Sequence, residues 1–351
     1  MRWLAVLSFL AGCPAPVATT TEPPRPPPPP PPPPAELDAA PAPAVPSVLA
    51  ARAAGSRLEV VHVDAGGEVR VLHTLARARG APSLADLAVD RDSGRFGLLV
   101  EADTVDGVAT GTPRDVMTLV LGTVAGESVA IGPGDRTCVM HRCFEAAIAI
   151  EPGGEAVVTT LRRSSASDLA RYPFGPSPTP TKLTSAAAER PVMSPDHARF
   201  AYVRRQALHV VEVGAETAGE PIATGVRDVA AVALGEGVVA FRTRDGRLEA
   251  RDTATGAVLA SATLAADGQP VLRTAGGNVI TTDGARVVVV PVAGGVARPL
   301  ADGALIDVSA DGAWALVDDG ALAIVAVASG EVVARLDVPA AFGQVRARLA
   351  P

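Results

Sequence analysis

Short apolar, β-branched runs alternate with polar turns from Ser47 onward, without a convincing helical periodicity. The clearest unit runs from Leu305 to Val338, where turns such as Asp318-Asp319-Gly320 separate four apolar runs. Runs of this kind, bounded by Asp-Gly turns, are typical of antiparallel hairpins. The pattern therefore predicts an all-β fold for residues 47–351.

The same unit is repeated upstream. Three Asp-Gly turns, 38 and 36 residues apart, occupy equivalent places: Asp245-Gly246, Asp283-Gly284 and Asp319-Gly320. A second glycine follows each of them at the same offset of 11 residues. Four strands in a repeat of this length are typical of a β-propeller blade. With the less regular units before them, they predict a β-propeller of about seven four-stranded blades, with six as the alternative.

The first predicted blade is short of a strand. Its two outer strands are predicted at Leu58–Val63 and Val69–Leu75, and an incomplete blade would expose an unpaired sheet edge. The segment from Gln344 to Leu349 alternates polar and apolar side chains, as a half-exposed strand does. We predict that this segment pairs within the first blade; a frayed tail is the alternative.

Two stretches resemble propeller families. Ser194-Pro195-Asp196-His197-Ala198-Arg199-Phe200-Ala201-Tyr202 resembles the S-P-D-G-x-x-x-A-F/Y signature of WD40-like propellers of the Tol type, and Ser309–Leu316 is a looser copy. Asp252–Leu259 resembles the D-x-x-T-G turn of quinoprotein-like blades without the tryptophan that follows it there, so pyrroloquinoline quinone is not implied. These resemblances imply a fold and leave the function open.

The N-terminus forms a segment of its own. The apolar run Trp3–Ala11 is too short to span a bilayer as a stable helix, which favours a signal peptide. The run ends in Leu10-Ala11-Gly12-Cys13, which resembles the lipobox of bacterial lipoproteins. The resemblance implies a signal peptide over residues 1–12, acylation of Cys13 and, because Pro14 follows, the outer membrane in preference to the inner one. An ordinary secretory signal is the alternative.

Residues 13–46 form a second segment, with 16 prolines between Pro14 and Pro46. Proline lacks a backbone donor and has a fixed φ, so the segment favours polyproline II and cannot join a sheet. At ~3.1 Å per residue it can hold the folded part up to roughly 100 Å from the lipid. We interpret it as a disordered, proline-rich tether; a docking site for a proline-recognising module is the alternative.

Composition excludes some functions. The net charge of −7 argues against nucleic acid as a partner, because nucleic-acid binding calls for a basic stripe. The sequence contains no G-x-S-x-G, H-E-x-x-H, P-loop or S-x-x-K motif. We therefore predict no catalytic residue, no cofactor and no resident metal.

Cys138 and Cys143 are the two cysteines left after acylation of Cys13. In an exported protein this local pair predicts a disulfide, which contributes roughly 2 kcal/mol by restricting the unfolded chain. The alternative is a soft-metal site, in which His141 and Met140 join both sulfurs to bind Cu(I) or Zn²⁺.

Two long loops predict a binding surface. The segment with the two cysteines joins consecutive blades, and the insertion Asp103–Asp115 joins the second and third strands of the blade before it. Loops of these two types emerge on one face of a propeller, and long loops on a rigid scaffold commonly carry binding sites. The predicted contact patch consists of Arg114, Asp115, Arg136, His141 and Arg142. Solvated loop charge without a function is the alternative.

Together these features predict a non-catalytic lipoprotein that is bound to the membrane by its lipid anchor. Its propeller would bind another envelope protein or a cell-wall polymer. One alternative is a propeller-based hydrolase or lyase, with histidines and carboxylates converging at the central channel. The other is a metal-handling protein that uses the Cys138–Cys143 loop.

Overall fold

Extended backbone accounts for the regular secondary structure of the described part of the chain. The computed structural model describes residues 44–78, 82–90, 93–111, 117–126, 130–133, 148–150, 156–163, 166–173, 181–184, 189–194, 198–212, 220–266, 270–339 and 346–350. All of its strands belong to the unit Pro43–Pro351. No described residues form a helix that is long and apolar enough to cross a membrane. The prediction of an all-β fold is confirmed.

The described residues form 30 strands. In chain order they are β1 (Ser47–Ala54), β2 (Arg57–Val63), β3 (Val69–Ala76), β4 (Ser83–Val89), β5 (Arg95–Glu101), β6 (Thr104–Val105), β7 (Val108–Ala109), β8 (Thr118–Thr123), β9 (Ala130–Pro133), β10 (Ile148–Ile150), β11 (Ala156–Arg163), β12 (Ala166–Pro173), β13 (Thr181–Thr184), β14 (Glu189–Met193), β15 (Arg199–Arg204), β16 (Ala207–Glu212), β17 (Ala223–Thr224), β18 (Val229–Leu234), β19 (Val238–Thr243), β20 (Arg247–Asp252), β21 (Val258–Thr263), β22 (Leu272–Ala275), β23 (Asn278–Asp283), β24 (Arg286–Pro291), β25 (Arg298–Asp302), β26 (Ala304–Val308), β27 (Trp314–Asp318), β28 (Ala321–Ala326), β29 (Val332–Pro339) and β30 (Arg346–Ala350).

Within the described residues these strands assemble into seven antiparallel sheets, here named sheets 1 to 7. Sheet 1 has the order β30-β1-β2-β3-β6-β7, sheet 2 the order β4-β5-β8-β9, and sheets 3 to 7 take four consecutive strands each, from β10–β13 to β26–β29. In each sheet from 3 to 7 the strands are neighbours in both sequence and space. Four-stranded antiparallel sheets of this kind are consistent with a propeller-like fold.

Local turn chemistry determines where the strands of the regular repeats end. Gly246, in the β19–β20 turn, has a φ of +92°, and a Cβ there would lie 2.0 Å from the Leu264 carbonyl oxygen, so only glycine fits. In the β20–β21 turn, the Asp252 carboxylate accepts hydrogen bonds from the Thr255 amide at 2.7 Å and the Thr255 hydroxyl at 2.8 Å. These hydrogen bonds hold the pKa of Asp252 below its ordinary value.

Sheet 1 is built from distant parts of the sequence. β30 pairs antiparallel with β1, so that Leu349 lies opposite Val48 and Ala347 lies opposite Ala50. Leu349 and Ala347 are fully buried. Because β30 covers an edge of β1 that would otherwise expose unpaired backbone groups, the pairing is favourable for both segments. The predicted pairing of the C-terminal segment within the first unit is confirmed.

Sheets pack face to face through small apolar side chains. Leu208 of sheet 4 and Phe241 of sheet 5 share one buried cluster, and Leu316 of sheet 7 shares another with Val61 of sheet 1. Further clusters join sheets 1 and 2, 5 and 6, and 6 and 7. Full burial of a Val, Leu or Phe side chain contributes about 1.5–3 kcal/mol. Burial of these side chains between sheets therefore contributes to the stability of the fold.

Candidate functional site

The residues predicted to form sites lie outside the described part of the chain. They are Cys13, Arg114, Asp115, Arg136, Cys138, His141, Arg142 and Cys143. The acylation, disulfide, metal-site and contact-patch hypotheses therefore remain predictions. The connectivity around them is as expected, since the insertion lies between β5 and β8 of sheet 2, and the cysteine-containing segment follows β9 and precedes β10.

The described part of the insertion forms a hairpin that extends the neighbouring sheet. β6 and β7 are joined by Asp106-Gly107, and β6 pairs with β3 of sheet 1. The Asp106 carboxylate accepts a hydrogen bond from the Thr74 amide at 2.7 Å and lies 2.8 Å from Nδ1 of the buried His73. The sequence analysis missed this hairpin. Its signal is an Asp-Gly turn between two valines, which is typical of a two-residue hairpin loop.

A charged network joins the first strands of four sheets. It consists of Asp86 in β4, Arg273 in β22, Asp307 in β26 and Arg348 in β30. Arg348 Nη2 donates to Asp86 Oδ1 at 3.0 Å, and Arg273 Nε donates to Asp307 Oδ1 at 3.1 Å. Burial lowers the pKa of Arg273, and the charge of Arg348 lowers it further, whereas Asp307 opposes both effects. The two ion pairs therefore lie close enough to influence each other.

Each aspartate of this network also binds a backbone amide of another sheet. The Ile148 amide of sheet 3 donates to Asp86 Oδ2 at 3.1 Å, and the Leu349 amide of sheet 1 donates to Asp307 Oδ2 at 3.1 Å. Each carboxylate thus links an arginine of one sheet to the backbone of a different sheet. The sequence signal is a shared Leu-x-Asp pattern in β4 and β26, whose meaning depends on the packing of the sheets. We assign both carboxylates a structural role.

A cleft of about 320 Å³ lies between sheets 4 and 5. Its walls come from the connection between β17 and β18, from the turn between β19 and β20, and from one face of β19 and β20. Four arginines line it, namely Arg227, Arg244, Arg247 and Arg251. Three carboxylates accompany them, namely Asp228, Asp245 and Glu249. The cleft is therefore locally positive in a protein whose net charge is −7.

One face of β20 forms a wall of the cleft. Arg247, Glu249 and Arg251 point to one side of the strand, whereas Leu248 and Ala250 join the core between sheets 5 and 6. The buried Glu249 carboxylate accepts hydrogen bonds from Arg251 at 2.8 and 3.0 Å, and it also accepts one from Arg247. Two guanidinium groups share one carboxylate, so this wall retains a net positive charge. The Arg247 side chain is 67% exposed and can reach a ligand.

Hydrogen bonds fix the two loops that form the rim of the cleft, namely the β17–β18 connection and the β19–β20 turn. Asp228 has a φ of +51°, and its carbonyl oxygen accepts a hydrogen bond from the Arg244 amide at 2.9 Å. The Thr243 hydroxyl donates to the Asp245 carboxylate, and this bond, together with the Arg247 amide, holds the pKa of Asp245 below its ordinary value. The rim therefore presents carboxylates beside exposed guanidinium groups.

The sequence analysis did not predict this cleft. The available signal was the density of charge between Arg242 and Arg251, where four arginines occur in ten residues. One of these four, Arg242, is fully buried and donates to the Thr281 hydroxyl at 3.0 Å, away from the cleft. Among the described residues, no group of three or more His, Cys, Asp or Glu side chains is placed to hold a metal ion. The arrangement is suited to holding an anion by paired guanidinium contacts.

No protein-family model matches the chain, and a search of curated proteins finds no match. Among solved structures, the chain is similar to the crystal structure of the computationally designed Ika8 protein, with 12% identity and a TM-score of 0.50. The alignment covers 83% of this chain and 87% of that chain. A likeness at this level of identity concerns the fold alone.

Proposed function

We propose that the protein is an exported, lipid-anchored binding protein whose seven sheets are the blades of one closed β-propeller. One face of the propeller binds another envelope protein or a cell-wall polymer. The observation that carries the proposal is the arginine-lined cleft, because it opens at the sheet edge where the β17–β18 connection and the β19–β20 turn meet. Connections of these two types form one face of a propeller.

Two observations support a closed ring. Buried clusters join sheet 4 to sheet 5 and continue through sheets 6 and 7 to sheet 1. Sheet 1 contains both β1 and β30 and also packs on sheet 2. A ring in which the chain ends share a blade leaves few exposed sheet edges. Closure through sheets 3 and 4 gives seven blades.

The described carboxylates on the first strands favour binding over catalysis. A hydrolase or lyase acting at the centre of the ring would need a carboxylate and a histidine that face a substrate. Asp86 and Asp307 are instead bound by arginines and backbone amides. His73 binds Asp106, and His62 lies 2.8 Å from the Ser47 hydroxyl.

The proposed location at the membrane depends on the N-terminal pattern, and it can be tested directly. The wild-type protein should fractionate with membranes, and its N-terminal peptide should carry acyl chains on Cys13 in mass spectrometry. A Cys13→Ser variant should move to the soluble envelope fraction, because a single acyl chain or none gives at most reversible binding. An unmodified N-terminal peptide in the wild-type protein would contradict the lipid anchor.

The proposed disulfide between Cys138 and Cys143 is tested by titrating thiols in the unreduced protein. We expect no reactive thiol. Two reactive thiols, accompanied by bound Cu(I) or Zn²⁺, would instead support the metal-handling alternative.

The binding face is tested by site-specific photocrosslinking in cells. A benzophenone amino acid at position 205 stands in the exposed β15–β16 turn, where the neighbouring Gln206 accepts a hydrogen bond from Arg227 of the cleft. The matched control at position 296 lies in the β24–β25 turn, at the opposite edge of the sheets. Val296 is 89% exposed, so the control probe is accessible. We expect a defined adduct, with a protein or with a cell-wall polymer, from position 205 alone. The same adducts from both positions, or none from position 205, would contradict the proposed face.

A further inference from the structure

We infer that the cleft between sheets 4 and 5 binds a sugar residue that carries an anionic group, either a carboxylate or a phosphate. The inference rests on the proposed binding face and names the chemistry of its ligand. Such a residue would be one unit of an anionic cell-wall polymer. Three features of the cleft support this ligand class: its excess of guanidinium groups, its carboxylates and its size.

The guanidinium groups provide the site for the anion. Arg244 is exposed at the mouth, and the Arg247 side chain, although it donates to Glu249, remains 67% exposed. Arg227 flanks them, with its Nε donating to the Gln206 side chain at 3.1 Å. The planar guanidinium group binds carboxylate and phosphate oxygens through two parallel hydrogen bonds. Arg244 and Arg247 line the same cleft and offer exposed guanidinium groups to an oxyanion bound there.

The carboxylates argue against a small inorganic anion. Asp228 and Asp245 line the same cleft. Carboxylates repel a bare anion but accept hydrogen bonds from hydroxyl groups. Thr224 adds a hydroxyl group, which can donate or accept. A ligand with an oxyanion at one end and several hydroxyl groups along its ring satisfies both kinds of side chain.

The size of the cleft indicates a single sugar residue. A volume of about 320 Å³ is at the lower end of the range for small-ligand sites. Phe241 also lines the cleft, but it is 3% exposed and belongs to the core between sheets 4 and 5. The cleft therefore offers mainly polar contacts, which suit the hydroxyl-bearing rim of a pyranose ring. The remainder of a polymer would extend from the cleft into solvent.

The experiment is isothermal titration calorimetry of the purified full-length protein with four probes: glucuronate, glucose 6-phosphate, glucose and inorganic phosphate. We expect glucuronate, glucose 6-phosphate or both to bind, with an affinity that falls as salt is raised. Glucuronate binding identifies a carboxylate ligand, and glucose 6-phosphate binding identifies a phosphate ligand. The double variant Arg244→Gln/Arg247→Gln should bind the anionic sugar about ten-fold more weakly.

The control is Arg286→Gln, which removes an arginine of equal exposure (66%) from sheet 6, away from the cleft. It should leave the affinity unchanged. If the double variant unfolds, Arg244→Gln alone tests the same contact, because this exposed side chain lies at the mouth of the cleft.

The inference would be overturned if neither anionic sugar bound. It would also be overturned if glucose bound as tightly as both glucuronate and glucose 6-phosphate. A third contradicting result is that inorganic phosphate binds as tightly as glucose 6-phosphate. An equal loss of affinity in Arg286→Gln would also overturn it. Photocrosslinking from position 205 separates the two proposals, because Arg205 does not line the cleft. An adduct there without sugar binding retains the binding face and rejects its ligand, whereas sugar binding without an adduct retains the ligand and rejects the partner face.

Discussion

The ion pair between Arg273 and Asp307 allows a sharp test of how the sheets are held together. The perturbation is Asp307→Asn, which keeps the size of the side chain and removes its charge. The carbonyl oxygen of the new amide side chain can still accept the hydrogen bond from the Leu349 amide, which Asp307 accepts at 3.1 Å. The substitution therefore leaves Arg273 without its counter-ion and changes little else.

The expected cost follows from burial. The Asp307 side chain is 7% exposed and that of Arg273 is 32% exposed. Breaking a fully buried pair costs about 3–5 kcal/mol, because the remaining charge stays desolvated. Partial exposure of Arg273 allows water to solvate the freed guanidinium group, so we expect a loss of about 2–3 kcal/mol in the free energy of unfolding.

The assay is urea unfolding of the purified full-length protein at pH 7, monitored by tryptophan fluorescence and circular dichroism. Asp302→Asn is the matched control, because it removes the same charge from an exposed pair with Arg286, in which the side chains are 66% and 85% exposed. The control should lose less than about 1 kcal/mol. Adding Arg273→Met to Asp307→Asn should restore about 1–2 kcal/mol, because it removes the unpaired charge. Equal losses in Asp307→Asn and Asp302→Asn, or no restoration in the double variant, would refute this account.

Three further predictions use the same unfolding assay. Gly246→Ala should lower the free energy of unfolding by about 2–5 kcal/mol, because φ is +92° there and a Cβ would lie 2.0 Å from a carbonyl oxygen. Gly284→Ala is the control at the equivalent turn, where φ is +62° and a Cβ would have no atom within 4 Å. It should lower the free energy of unfolding by only about 1 kcal/mol. Leu349→Ala should lose about 2–4 kcal/mol because that side chain is 0% exposed, whereas Val296→Ala, at an 89% exposed position, should lose less than about 0.5 kcal/mol. The pKa of Asp245 is lowered by a threonine hydroxyl and a backbone amide, so its contribution to stability is complete above its unfolded pKa of about 3.9 and is lost as pH falls through the lower folded value. Stability measured from pH 6 to pH 2 should therefore fall less steeply in Asp245→Asn than in the wild-type protein, and identical slopes would contradict that contribution.

Local signals were sufficient for the strands and turns of the regular repeats in sheets 5 to 7. The turn at Gly246 requires a left-handed glycine, and the alternation of β20 places its side chains on two faces, so both follow from short stretches of sequence. The addition of the C-terminal segment to the first sheet was also predictable, because an incomplete sheet needs another strand to cover its edge. Its partner strand β1 was not predicted.

The hairpin of β6 and β7 shows where local signals stop. Its Asp106-Gly107 turn is visible in the sequence, but nothing nearby indicates that β6 pairs with β3 of a different sheet. The hydrogen bond from the Thr74 amide to Asp106 depends on two segments that meet only after sheets 1 and 2 have packed together.

The sequence by itself determined the class of secondary structure, the ends of the strands and the way in which the first sheet is completed. Backbone pairing and burial within one sheet are encoded by patterns a few residues long. Only the tertiary structure decided the charged network and the arginine-lined cleft. Arg348 and Asp86 are 262 positions apart and bind each other because different sheets bring their first strands together. The charges of the cleft acquire their meaning in the same way, since packing of sheet 5 on sheet 4 determines which guanidinium groups are neutralised and which still face solvent.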